Sequence, residues 1–513
     1  MGGDKEIETD QSTYPLLPFC PLIPLDLIQP TMSTITRVMD RRRALYSVAA
    51  LGFAAGFRRQ SNSFLVRGGR VVTAEGQRDA DVRVRDGKVI EVGPGLALAA
   101  DVLIEARGLL VLPGGIDPHT HLSPPWADDF ESGSKAALAG GITTLGCMTS
   151  PKEGESVLDA IEREEARAAK EAIADVFLHT VIGVPSEKTT SDLTRLAESG
   201  RTSLKIFMVS SRFDENEAAY VELIRHAGTL GMLTILHCED ARILAEAVRR
   251  LKVEGKTALQ YFPESRPVEA EARAVERAVG IAETTGAPIY IVHLSSKAAL
   301  DVAAAARQRG IRIGIETRPL YLHFTDERFA GLDGPLFVGQ PPLRKPDDVE
   351  ALWKALGEGG VDTVASDHAP WTREQKLDPS LDIEKLRPGV ANLQCMLPVL
   401  FSEGARRGLS LERFVALTST NAARLFGLYP TKGTVAPGSD ADLVLWDPEE
   451  TREIDRRSLL SRAGFSLFEG FRVTGWPRLT IRRGEIVYRN GAVQAPAGSG
   501  RIPTRGFTQS LRF

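Results

Sequence analysis

Apolar and polar positions change rhythm twice along the 513-residue chain. Between Ser63 and Ala106 the runs are short, alternating or apolar: Phe64-Leu-Val66, Gly69-Arg-Val-Val72, Val82-Arg-Val-Arg85 and Lys88-Val-Ile-Glu-Val92. Gly-rich turns and Asp86-Gly87 cut them, which predicts a small β-sheet. From Leu109 onward, apolar runs of strand length recur at wider spacing. They are Leu109–Val111, Ile142–Met148, Val176–Val184, Leu204–Val209, Leu233–Leu236, Ile289–Val292, Ile311–Ile315 and Val361–Ala365. Between them, Ser156–Ala174, Glu215–Leu230, Val268–Thr285 and Asp347–Glu358 repeat their apolar residues at the helical period. Near-continuous apolar strands alternating with amphipathic helices mean a parallel sheet. Eight such units predict an α/β fold, a (β/α)8 TIM barrel.

After a helix predicted over Leu411–Phe426, strands return at Ala441–Trp446, Phe471–Val473, Arg478–Ile481 and Glu485–Tyr488. The early and late strands are expected to join in a composite β-sandwich domain beside the barrel. The predicted layout is an arm or export signal over 1–62, the sandwich over 63–108 and 431–495, the barrel over 109–430, and a mobile C-terminal tail over 496–513.

Composition narrows the function. A formal net charge of -4 gives no reason to expect a nucleic-acid partner. No run approaches the length of an apolar membrane span. Cys20, Cys147, Cys238 and Cys395 are scattered, without zinc-finger spacing, and Cys147 and Cys238 in apolar runs are expected to be buried free thiols. Arg41-Arg-Arg43 ahead of an Ala-rich stretch is similar to a twin-arginine export signal, with Met39 a possible start. The expected location is therefore the cytoplasm, with the periplasm as the alternative.

The ends of the barrel strands carry the candidate chemistry. Pro113-Gly-Gly-Ile-Asp-Pro-His-Thr-His121 delivers two imidazoles, and residues two apart on an extended backbone share a face. Other runs end in His237, His293 and Asp367. Side chains at the C-terminal ends of barrel strands converge on one site, and clustered imidazoles suit a metal ion. Lys205 lies inside an apolar run, where burial favours the neutral amine. Such an amine can take up carbon dioxide and become a carbamate whose two oxygens bridge two cations. The alternative is an outward lysine that snorkels to solvent. His179, His226 and His323 lack the strand-end pattern and read as structural or surface residues.

These motifs, with His237-Cys-Glu-Asp240, His293-Leu-Ser-Ser296 and Ser366-Asp-His-Ala-Pro370, resemble the cyclic amidohydrolases. That family includes dihydropyrimidinase, hydantoinase, allantoinase and dihydroorotase. Trp126–Ala137, Glu316–Leu322 and Gly475-Trp-Pro477 look most like the dihydropyrimidinase and hydantoinase branch. The resemblance implies two divalent metal ions, zinc in the first instance. His119, His121 and Asp367 would hold one and His237 and His293 the other, with carboxylated Lys205 between them. It implies that Asp367 carries the proton while a cyclic amide opens to an N-carbamoyl acid, and that Ser210, Gln340 and His368 contact the substrate. It also implies a homo-oligomer, tetramer or dimer. Where hydantoinases carry an oxyanion tyrosine this chain reads Met208-Val-Ser210, and the asparagine expected near Pro388-Gly-Val390 is missing. Allantoin or dihydroorotate are the alternative substrates; a non-catalytic scaffold is the alternative class.

Overall fold

The structure is a computed structural model that describes residues 63–99 and 102–508. The expected N-terminal arm, its arginine run and Cys20 lie outside the described residues.

Among the described residues, seventeen strands form two sheets. In the first, β1 (Phe64–Thr73), β2 (Gly76–Arg85), β3 (Lys88–Gly93), β4 (Val102–Glu105) and β5 (Leu110–Pro113) come from the early segment. The second contains the eight parallel strands β6 (Gly115–Thr120), β7 (Ile142–Thr149), β8 (Asp175–Val181), β9 (Ser203–Phe207), β10 (Leu233–His237), β11 (Ile289–Ile291), β12 (Ile313–Thr317) and β13 (Thr363–Val364), in sequential order. The late strands β14 (Leu443–Glu453), β15 (Arg472–Arg482), β16 (Glu485–Arg489) and β17 (Ala492–Val493) return to the first sheet, where β14 pairs antiparallel with β5.

The eight-stranded sheet is the predicted barrel, nearly closed. Its two ends approach through a parallel bridge from Thr120 to His368 and a bond from Ser366 N to Asp117 Oδ1. The predicted helices fall between the strands; Val157–Glu171 and Val268–Thr285 each bury an apolar face against the barrel.

The structure alters or refines three expectations. Leu109–Val111 does not open the barrel: it falls largely in β5 of the composite sheet, and the first barrel strand is β6. Pro118 and the polar Asp117 and His119 hide β6 from a search for apolar runs. The chain crosses between the sheets at Gly114, where a Cβ would stand 2.2 Å from Thr143 Oγ1. Second, the composite sandwich is built from one continuous nine-stranded sheet, with its strands hydrogen-bonded throughout. It curls so that Val89 N donates to Ser439 O and Ala441 N to Gly87 O, around a small core that includes Val66, Val82, Leu443 and Ile481. Third, residues 496–508 are no loose tail. Gly500 N donates to Ala172 O, Val176 N to Arg501 O, and the buried Arg505 guanidinium to Ser203 Oγ at 2.8 Å.

Cys147, Cys238 and Cys395 are free and buried. No helix among the described residues is long and apolar enough to cross a membrane.

Candidate metal centre

A cavity of about 660 Å³ opens at the C-terminal ends of the barrel strands, and His119, His121, Lys205, His237, His293 and Asp367 all line it. His119 and His121 leave the end of β6 with ring centroids 5.5 Å apart. His293 lies 5.5 Å from His119 and 4.5 Å from His237 by the same measure. Asp367 Oδ1 is 3.2 Å from Nε2 of both His119 and His121. The ligand atoms of His119, His121 and Asp367 lie within 4.8 Å of one another, close enough to hold one metal ion.

Lys205 points inward. Its Nζ is buried without a hydrogen-bond partner, 5.0 Å from the centre of the Phe207 ring. An unpartnered buried amine is rare and costly. Burial pushes it down to about 8, despite the pull of Asp367 and Glu316. Burial also holds the imidazoles of His119 and His293 well below the ordinary histidine value, and lowers that of His237. These rings are therefore neutral at physiological pH, the form that ligates metal.

The backbone is strained where it presents two of these groups. His293 has φ +42° and Asp367 φ +43°, two of five non-glycine residues with positive φ among those described. Such conformations cost of order 1–3 kcal/mol and cluster at functional sites.

Two carboxylates missed in the sequence hold the histidines. Glu316, on β12, meets His119 Nδ1 at 2.8 Å, accepts from His293 N at 3.0 Å and from the Tyr290 hydroxyl at 2.8 Å. Burial pushes Glu316 up to about 8. Glu239 meets His237 Nε2 at 2.8 Å and is itself clamped by Arg266, which leaves His237 Nδ1 for the cavity. Burial opposes ionisation of Glu239, but Arg266 brings it down to about 2. Partners of this kind fix ring orientation in metal sites. Glu316 had a sequence signal equal to that of Lys205, a charge inside an apolar strand.

Of the expected substrate contacts, Gln340 lines the cavity. Ser210 does not: its hydroxyl caps the helix Ser211–Glu215 by accepting from Arg212 N. His368 is also off the cavity wall, fully buried, with Nε2 2.8 Å from Asp128 Oδ2. The positive φ at Asp367 turns the chain, so the next side chain points away.

The family model for the amidohydrolase family matches residues 110–487. This chain belongs to the amidohydrolase family. Among curated relatives, this amidohydrolase is 35% identical over 453 residues to a D-hydantoinase from Geobacillus stearothermophilus, covering 86% of this chain and 96% of that one. It is 35% identical over 452 residues to a D-phenylhydantoinase from Escherichia coli O1:K1, covering 86% and 98%. Among solved structures, a dihydropyrimidinase from Brevibacillus agri superposes with a TM-score of 0.84 at 34% identity, covering 88% of this chain and all of that one. These likenesses put the amidohydrolase in the hydantoinase branch of cyclic amidohydrolases. The family is metal-dependent, in keeping with the His119, His121 and Asp367 group.

Proposed function

We propose that the chain hydrolyses the ring C–N bond of a hydantoin or dihydropyrimidine and releases an N-carbamoyl acid. The substrate class comes from the names of the relatives. The observation that carries the chemistry is the meeting of four imidazoles, Asp367 and the unpartnered Lys205 amine in one cavity.

This donor set suits two divalent cations, zinc above all. We assign His119, His121 and Asp367 to one, His237 and His293 to the other, and Lys205 to both. Bound there, the cations supply charge that acidifies water and polarises an amide carbonyl.

The remaining work falls to the side chains. In its neutral form, which burial favours, the Lys205 amine adds to carbon dioxide, forms an N–C bond and releases one proton to solvent, leaving a carbamate. Burial opposes ionisation of Asp367, but Arg318, His119 and His121 hold its carboxyl well below the usual carboxylate range. Asp367 takes a proton from the attacking water and returns it to the ring nitrogen as the C–N bond breaks. Trp126, braced edge-on by Trp371 at 5.0 Å, joins Phe207 and Met148 in an apolar wall that excludes water from a flat ring. Gln340 offers amide hydrogen bonds beside it. Arg163 and Arg167 also face the cavity, but Glu155 and Glu164 engage them. Neither guanidinium is left unengaged for a substrate carboxylate, which weighs against dihydroorotate. By resemblance to the family we further propose a homo-oligomer, tetramer or dimer, located in the cytoplasm with the periplasm as the alternative.

A substrate panel on metal-loaded protein tests this. Hydantoin or dihydrouracil should open, and Lys205→Ala should lose both cations and turnover. Turnover of allantoin or dihydroorotate alone, or a Lys205→Ala protein with two cations and normal turnover, would overturn the reading.

A further inference from the structure

Arg318 follows β12 and is fully buried. A guanidinium stays charged in a protein, and a buried charge needs a partner. Its partner is Asp367: Nη1 lies 2.9 Å from Oδ2, and Nη2 lies 3.5 Å from the Asp367 backbone oxygen. The other carboxylate oxygen, Oδ1, faces His119 and His121 at 3.2 Å. The two oxygens of one carboxylate thus serve opposite sides.

Arg318 cannot easily move off. Its Cζ sits 5.6 Å from the centre of the Tyr321 ring, and the Tyr321 hydroxyl donates to Pro341 O at 2.6 Å. Gly339 passes so near that a Cβ there would meet Nη1 at 3.2 Å. Lys376, also buried on this side, donates to the carbonyls of Val338 at 2.8 Å and Gly389 at 2.6 Å rather than to a carboxylate, and burial and Arg318 hold its amine well below the ordinary lysine value. The Arg318 guanidinium is therefore the charge that Asp367 faces on this side.

We infer that Arg318 is a positioning residue that confines Asp367 to donation through one oxygen, and that it makes the His119–His121–Asp367 site the weaker of two cation sites. The inference rests on the assignment of Asp367 as a cation ligand. With Oδ2 drawn to the guanidinium by charge at 2.9 Å, turning both oxygens toward the imidazoles would separate that buried ion pair. The guanidinium charge, little screened in a buried site, also opposes a cation on the far side of the same carboxylate. The consequence has an unusual sign. Removing a side chain that merely braces the fold weakens metal binding; removing Arg318 strengthens it.

The experiment titrates zinc into metal-free protein against a chromophoric chelator and reads both binding steps. Arg318→Met should tighten the weaker step roughly tenfold, about 1.4 kcal/mol of relieved charge repulsion, and leave the stronger step unchanged. In the loaded enzyme it should lower kcat with KM near the wild-type value, because Asp367 loses its fixed orientation. Arg318→Lys, which keeps the charge, should hold the weaker step close to wild type. Arg318→Gln gives the same reading as Arg318→Met if the latter does not fold. A wild-type chain that takes up fewer than two cations overturns the proposed function, and this inference with it. Two steps in the wild type with the weaker one unchanged or loosened in the uncharged variants overturn this inference alone.

Discussion

His119 Nδ1 lies 2.8 Å from Glu316 Oε1, and this contact ties the first barrel strand to the seventh across the interior. Burial pushes Glu316 up to about 8, and an amide keeps the oxygen that meets the His119 ring, so it is a fair stand-in for the carboxyl. Glu316→Gln should keep metal affinity near wild type. Glu316→Leu, which leaves the His119 ring unheld, should lose about 10–100-fold. Zinc titration of the two variants checks the contrast; equal losses would mean the contact does not orient the ring.

The Lys205 amine sets a pH dependence on reloading. Its folded-state value is lowered from 10.5 to about 8, so the reactive neutral amine prevails above that pH and the ammonium below it. At fixed dissolved carbon dioxide, the rate at which stripped protein regains metal and turnover should rise about tenfold per pH unit up to about 8 and then level off. A rate that is flat from pH 6 to about 9 would contradict this.

Much of this centre is legible in the sequence, for a physical reason. Barrel strands buried on both faces are apolar throughout, so a histidine or lysine in one stands out, as His237, His293 and Lys205 do. Glu316 stood out equally in Ile313–Thr317, but carboxylates read less readily as metal-site residues than imidazoles. The pairing of Arg318 with Asp367 had no linear signal, because strand neighbours and not sequence neighbours bring them together. The cap made by Ser210 shows why a serine ahead of a helix is ambiguous in sequence: the local backbone claims its hydroxyl. The first barrel strand, β6, carries little apolar signal because half of its residues are polar.

Away from the cavity, Lys432 holds the composite sheet to the barrel. Its Nζ reaches the buried Asp442 at 2.5 Å and Asp175 at 2.8 Å, and the half-buried Asp440 at 3.2 Å. Removing the one cation strands carboxylates out of water, so Lys432→Met should cost about 3–5 kcal/mol. Denaturant unfolding should show the loss, with turnover per folded molecule unchanged.

Arg505 gives a test of the packed C-terminal segment. It donates to Ser203 Oγ at 2.8 Å and to Leu178 O at 3.1 Å beneath the barrel, beside the Phe177 ring. Arg505→Met should destabilise the fold by about 1–3 kcal/mol through the groups it leaves unpaired. A melting temperature equal to wild type would show that the segment contributes nothing to stability.

The pairing of β5 with β14 sets Pro113 opposite Leu443. On the ribosome, one edge of the early sheet therefore waits for nearly the whole barrel to be made. At about 5–20 residues per second, the delay is on the order of tens of seconds. During that time Leu110–Pro113 offers an uncovered strand edge to any nascent neighbour. Expression yield should accordingly respond to cold induction or added chaperone more strongly than the finished enzyme's stability would suggest.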